Sequence, residues 1–138
     1  MNTINSEQFI KEFAEAFPEY RIQVYDNAWL NLPNLQLGMI REIADELIKI
    51  RKHDILKMLF NFFENGLKNG DNELKNSIAV SFLEHLNFKD ENGIEAYNLL
   101  PENLKQEYES VEDYNSKLLS DDRLKNFIAD LFKDENDE

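Results

Sequence analysis

The stretch LQLGMIREIADELIKIRKHDILKMLFNFFENGLKNGDNELKNSIAVSFLEHL, residues 35–86, decides the fold. Its apolar residues return at intervals of three and four, the spacing that lines one face of a helix, and not at the interval of two that a half-buried strand requires. Leu37, Ile40, Ile43, Ala44, Leu47 and Ile48 form the first stripe and predict a helix from about Leu35 to Arg51. Arg51, Lys52 and His53 near its end complement the negative pole of the helix dipole. Asp54 is expected to cap a second helix that turns Ile55, Leu59, Phe62, Phe63 and Leu67 inward. Met58 and Phe60 lie off that stripe and imply cover on more than one side. Asn69-Gly70 predicts a left-handed stop, and Asp71 or Asn72 opens a third helix with Leu74, Ile78, Phe82, Leu83 and Leu86 on its apolar side. Connections this short make the three helices antiparallel neighbours.

Working outward, Asn5 or Ser6 can cap a helix to Phe17 with Gln8 in capping-box position, Phe9, Phe13 and Phe17 on one face, and Pro18 as its end. The segment from Tyr20 to Pro33 fits either a short helix or an extended connector. Asn87 to Gly93 reads as a polar loop. Ile94, Tyr97 and Leu100 predict a short helix, and Pro101 opens another carrying Leu104, Tyr108 and Val111. A final helix is expected from Ser120, with Leu124, Phe127, Ile128, Leu131 and Phe132 turned to the core. The expected architecture is a single all-α domain over residues 1–133, an antiparallel bundle of six or seven helices, with helical-repeat stacking as the alternative. Residues 134–138, with four carboxylates in five positions, are expected to be a frayed acidic tail.

The 138 residues hold 28 Asp and Glu against 15 Lys and Arg, a net charge of −13. An apolar share of 42% is too rich for a disordered polyanion, so the charge belongs on the surface of a folded chain. Such a field repels nucleic-acid phosphates and anionic membranes and favours a basic protein partner. The charge is uneven: residues 1–88 carry 13 acidic and 9 basic side chains, a net of −4, and residues 89–138 carry 15 and 6, a net of −9. Cysteine is absent, which removes disulfides, thiolate metal sites and a cysteine nucleophile. Met1 to Phe17 has neither a basic start nor a continuous apolar run, and no stretch of about 18 apolar residues exists, so a cytoplasmic protein is expected.

Chemistry is sparse. Only His53 and His85 could serve as imidazole bases, and no Gly-rich phosphate loop or nucleophile elbow accompanies them. If the hairpin turns near Gly70, His53 and Asp54 lie level with Glu84 and His85, a set of donors suited to Zn or Fe. The plainer reading makes them a helix end, a cap and two surface residues, and no cofactor is expected. Glu64 and Glu84 flank apolar stripes, but the same count separates them along the axis. A bond to a neighbouring helix end, or to Trp29 or Tyr25 donors, is favoured over acid–base work. The phenylalanines at 60, 62 and 63 read as core.

What remains is surface. Asp90, Glu91, Glu95, Glu102, Glu107, Glu109, Glu112 and Asp113 are interleaved with Tyr97, Tyr108 and Tyr114. Carboxylates speed the encounter with an Arg- and Lys-rich partner and tyrosines can anchor it. The binding surface is therefore assigned to Glu95, Tyr97, Glu102, Glu107, Tyr108, Glu109, Glu112, Asp113 and Tyr114, against the alternative of an ordinary solvated acidic face.

Phe13 to Glu19, Leu32-Pro33, Leu37-Gly38-Met39-Ile40, Phe60 to Glu64, Asn69-Gly70-Asp71, Asn76 to Glu84 and Leu99-Leu100-Pro101 together resemble a small bacterial all-α family. Its members show a Phe-rich first helix ending in Phe-Pro, an L-P-x-L-x-x-G-x-I segment, a helix ending in F-x-E, an acidic G-D turn and an S-x-L-E ending. The likeness spans about Phe9 to Leu104 and consists of packing motifs. Such small acidic proteins look like immunity proteins encoded beside polymorphic toxins. The resemblance implies a non-enzymatic protein that neutralises a cognate, basic, nuclease-like toxin domain. A helical adaptor and a metal-dependent enzyme are the second and third readings.

Overall fold

The computed structural model describes residues 3–120, with side chains through Asp113, and shows an all-α helical bundle. The chain divides into two compact units, Met1–Tyr108 and Glu109–Glu138. Seven α-helices follow one another among the described residues: α1 Ser6–Ala16, α2 Arg21–Val24, α3 Pro33–Lys49, α4 His53–Asn69, α5 Asn72–Ser77, α6 Glu91–Tyr97 and α7 Glu102–Ser120. A 3-10 turn, Pro18–Tyr20, precedes α2, and a π-helical segment, Ile78–Leu83, continues α5. The only extended pairing among the described residues is a bridge from Ile4 to Gly70.

The first helix follows its sequence closely. Asn5 Oδ1 accepts from Gln8 N at 2.8 Å, and Phe9, Ile10, Phe13 and Ala14 are buried. The helix stops before Pro18, whose ring starts the 3-10 turn. Residues 20–33 meet the short-helix expectation in α2 and not the extended one: after it come turns, held by Trp29 Nε1 donating to Gln23 O at 2.7 Å and by Asp26 Oδ1 accepting from Ala28 N at 2.9 Å.

Helix α3 occupies the middle of unit Met1–Tyr108, packing against α1, α2, α4, α6 and the π-helical segment. It starts at Pro33 and ends at Lys49, earlier at both ends than the apolar stripe implied, because Pro33 is ready-shaped for a first turn. Its far end closes as a Schellman motif: Arg51 N donates to Ile48 O and Lys52 N to Leu47 O, with Arg51 in the left-handed region at φ 59°. That position usually belongs to Gly, since a Cβ there costs roughly 1 kcal/mol. Asp54 is not the cap of α4: the cap is Lys52, without a side-chain bond, and Asp54 sits inside the first turn.

Helix α4 buries Leu56, Leu59, Phe60 and Phe63 fully, while Ile55, Phe62 and Leu67 are only partly covered. The expected stripe is thus rotated toward Phe60, and the helix is covered on two sides. Phe9 and Phe13 of α1 meet Phe62 and Phe63 with ring centroids 4.9 to 6.4 Å apart, and Phe63 stacks on Phe82 at 3.8 Å. On the other side Phe60 meets Phe88 edge-on. Phe88 lies in the segment expected to be a polar loop, yet it is buried in the core.

Gly70 does not supply a left-handed stop. Its φ of −77° and ψ of 156° are extended, because Ile4 N donates to Asn69 O and Asp71 N donates to Ile4 O, both at 2.8 Å, and draw the chain straight. Asp71 then caps α5 through Leu74 N at 2.8 Å. At Ile78 the helix widens into its π turn, which ends with Glu84 N donating to Ala79 O. Asn34 of α3 accepts from Ser77 Oγ at 2.8 Å at the start of that turn, and Asp45 of α3 accepts from Asn87 N at 3.2 Å beyond it.

Helix α7 runs through Ser120, the last described residue, so Ser120 falls within it. The expected helix with Leu124, Phe127, Ile128, Leu131 and Phe132, and the tail at 134–138, lie outside the described residues. Among the described residues, no helix is long and apolar enough to cross a membrane.

Two helical glycines separate packing from propensity. A Cβ on Gly66 would stand 2.5 Å from Phe9 Cε1 and 3.1 Å from Ile78 Cδ1, both in the core, whereas a Cβ on Gly38 would meet nothing within 4 Å. Gly66→Ala is expected to lose about 1–2 kcal/mol, the overpacking outweighing the helix-propensity gain, and Gly38→Ala to gain about 1 kcal/mol. Urea denaturation of the two variants beside the parent checks both signs.

Candidate functional site

The acidic surface assigned from sequence begins at α6. Asp90 Oδ1 caps this helix by accepting from Gly93 N at 2.7 Å, and Asn92 Nδ2 donates to Lys49 O at the end of α3. A Cβ on Gly93 would fall 2.4 Å from Asn87 O, so the close approach of two backbone segments requires glycine there. Glu95, one turn on, is drawn into the α3–α4 corner. Its Oε1 accepts from Arg51 Nη2 at 2.8 Å, and its Oε2 faces His53 Nε2 at 3.5 Å. Those last two atoms are buried and make no hydrogen bond, so His53 completes an ion pair there only in its protonated form.

The tyrosines are committed to packing. Phe88, Tyr97 and Tyr108 form a mutually edge-on triangle with centroids 4.9 to 5.8 Å apart. Phe60 extends the cluster into the core and Lys105 Nζ lies 4.8 Å over the Tyr97 ring. Both tyrosines are half-buried, which makes them mortar between α4, α6 and α7 more than free anchors. Glu102 is exposed and accepts from Gln106 Nε2 at 3.4 Å, and Glu107 is half-buried. In unit Glu109–Glu138, α7 presents exposed Glu109, Glu112 and Asp113. The side chain of Tyr114 lies outside the described residues.

Glu64 takes the structural role favoured for it and binds a neighbouring helix end. Its Oε1 accepts from Leu104 N at 2.9 Å, and its Oε2 accepts from Asn103 N at 3.2 Å and Asn103 Nδ2 at 3.3 Å. Two free amide donors of the first turn of α7 are thereby satisfied by a carboxylate from α4, where the helix dipole also favours negative charge. A sequence signal existed in the acidic residue beside an apolar stripe, but nothing local could say which helix end it would reach.

The hairpin count does not gather His53, Asp54, Glu84 and His85. Among the described residues no group of three or more His, Asp or Glu side chains could hold a metal ion. The count assumed that two straight helices run back along each other. In the structure the π-helical segment lies chiefly along α3, its wider turn shifts the facing of Glu84 and His85, and His53 turns to Glu95.

The chain belongs to the family described as "Domain of unknown function (DUF7674)", whose model matches residues 10–116. That match covers most of the described bundle. No curated protein and no solved structure matches it.

Two measurements check the corner and the cap. Glu64→Ala is expected to cost about 1–2 kcal/mol by chemical denaturation, because it strips two helix-end amides, one of them part-buried, of their acceptor. At position 51 the backbone conformation outweighs the exposed ion pair, so Arg51→Gly is expected to be more stable than Arg51→Ala by about 1 kcal/mol.

Proposed function

We propose that this chain is a non-catalytic, immunity-type protein that binds a basic, nuclease-like toxin domain in the cytoplasm and neutralises it by covering the surface that would hold nucleic-acid phosphate. The observation that carries the reading is the concentration of charge: a net of −9 in residues 89–138, with Glu102, Glu109, Glu112 and Asp113 exposed along α7. A toxin that binds phosphate must display Lys and Arg, and a run of exposed carboxylates imitates the charge of its substrate.

Withdrawal of Glu95, Tyr97 and Tyr108 into the bundle sharpens this reading. The carboxylates of α7 act by steering the partner into encounter, and their effect falls in the association rate and its dependence on salt. A helical adaptor for an unrelated partner is the second reading and differs in its partner, not in this physics.

The test co-expresses the full chain with the product of the gene adjacent to its own. Co-expression is expected to restore growth, and the two proteins to co-purify. Glu102→Lys with Glu112→Lys is expected to slow association about tenfold at low salt and to leave the dissociation rate nearly unchanged. Failure of co-expression to restore growth, or an association rate indifferent to the double reversal, rejects the proposal.

A further inference from the structure

Helix α3 carries more apolar surface than the core uses. At about 100° per residue, its apolar positions together with the capping Ile50 sweep an arc of about 180°, from Ile48 and Leu37 through Ile40, Leu47 and Ile43 to Ile50 and Met39. A core-facing helix needs little more than half of that. The surplus forms the floor of an open groove of about 300 Å³ between α3 and the residues that lead into α2. Met39 is partly exposed there, Ile50 is 50% exposed, and Tyr20 forms the opposite wall. Burial and the neighbouring Glu19 carboxylate hold the Tyr20 hydroxyl pKa above its ordinary value, so it stays protonated and can donate to an incoming group.

The rim is acidic. Glu42 and Glu46 line the groove one helical turn apart, both exposed. Arg41 is held by Asp45 at 2.7 Å and reaches Glu42 only at 3.8 Å. Glu46 makes no ion pair among the described residues. From Met39 to Ile50 the floor runs about 16 Å, the length of three helical turns.

We propose that this groove is a docking site for a basic amphipathic helix of a partner protein, with apolar side chains on Met39 and Ile50 and Lys or Arg side chains against Glu42 and Glu46. Two carboxylates spaced by one turn beside an apolar floor match a helix that repeats both patterns at three and four residues. Charge argues against a second copy of this chain, which would set four carboxylates face to face in a molecule already at −13. The site uses elements other than α6 and α7 and goes beyond the steering surface proposed above.

The experiment is fluorescence anisotropy with the full chain and a fluorescein-labelled, 14-residue leucine–lysine helical peptide, at physiological ionic strength. Ile50→Ser, Met39→Ser and Glu46→Lys are each expected to weaken binding about tenfold, and Glu15→Lys on exposed α1 surface to change it by less than about twofold. Ile50 and Met39 are not core residues, and thermal melts confirm that each variant is folded. Equal loss with Glu15→Lys would reduce the effect to the general field and overturn the proposal. So would unchanged binding in both serine variants, or a dimer in sedimentation that Ile50→Ser dissolves. Peptide binding that follows these variants in a chain that fails to neutralise the toxin sustains the groove and removes only the immunity reading.

Discussion

Everything in the bundle is arranged around the place where the Phe9 ring lies against the backbone of Gly66. Only a residue without a side chain lets α1 come this close to α4. Once it does, Phe63 has Phe9 edge-on to one side and Phe82 stacked 3.8 Å from it on the other, so three segments distant in sequence share one aromatic contact. Each of these rings is essentially without exposure. Burial of a phenylalanine of this kind is worth roughly 1.5–3 kcal/mol, several times the worth of any exposed ion pair in the chain. The Ile4–Gly70 bridge is a consequence of the same approach: with α1 held against α4, the strand-like residues before it are laid beside the α4–α5 turn.

Polar contacts then decide orientation. Helix α3 uses Asn34 before the π turn and Asp45 beyond it, which fixes where the turn begins and how the chain leaves it. Glu64 brings α7 to the body by its amino end. Arg51 and Glu95 are partly solvated, so their pairing adds little stability, and its effect is to set α6 against the α3–α4 corner. This has a functional cost in the literal sense of charge: carboxylates recruited to hold helices are not available to meet a partner.

The acidic character of the protein therefore resolves into three populations. Asp71, Asp90 and Glu64 satisfy helix ends. Glu95 and Asp45 join elements. Glu42 and Glu46 beside an apolar groove, and Glu102 and Glu112 on α7, remain exposed. Net charge alone distinguishes none of these, although only the last can steer or select a partner.

Much was determined by the sequence alone. The all-α class, the Asn5 cap of α1, the stop before Pro18, the Asp71 cap of α5 and the core stripe of α3 all follow from interactions within four residues, and such contacts do not depend on the rest of the molecule. Gly70, Phe88, Tyr97, Tyr108 and Glu95 escaped that reading. Glycine after a helix ordinarily turns left-handed, but here a bridge from Ile4 pulls it straight. Tyrosines among carboxylates look like a binding face, but Phe88 supplies an aromatic partner that withdraws them. Glu95 finds Arg51, 44 residues away in the chain. The tertiary structure alone decided these because local periodicity specifies which side of a helix is apolar, while the neighbour that covers it is set by packing between segments far apart in sequence.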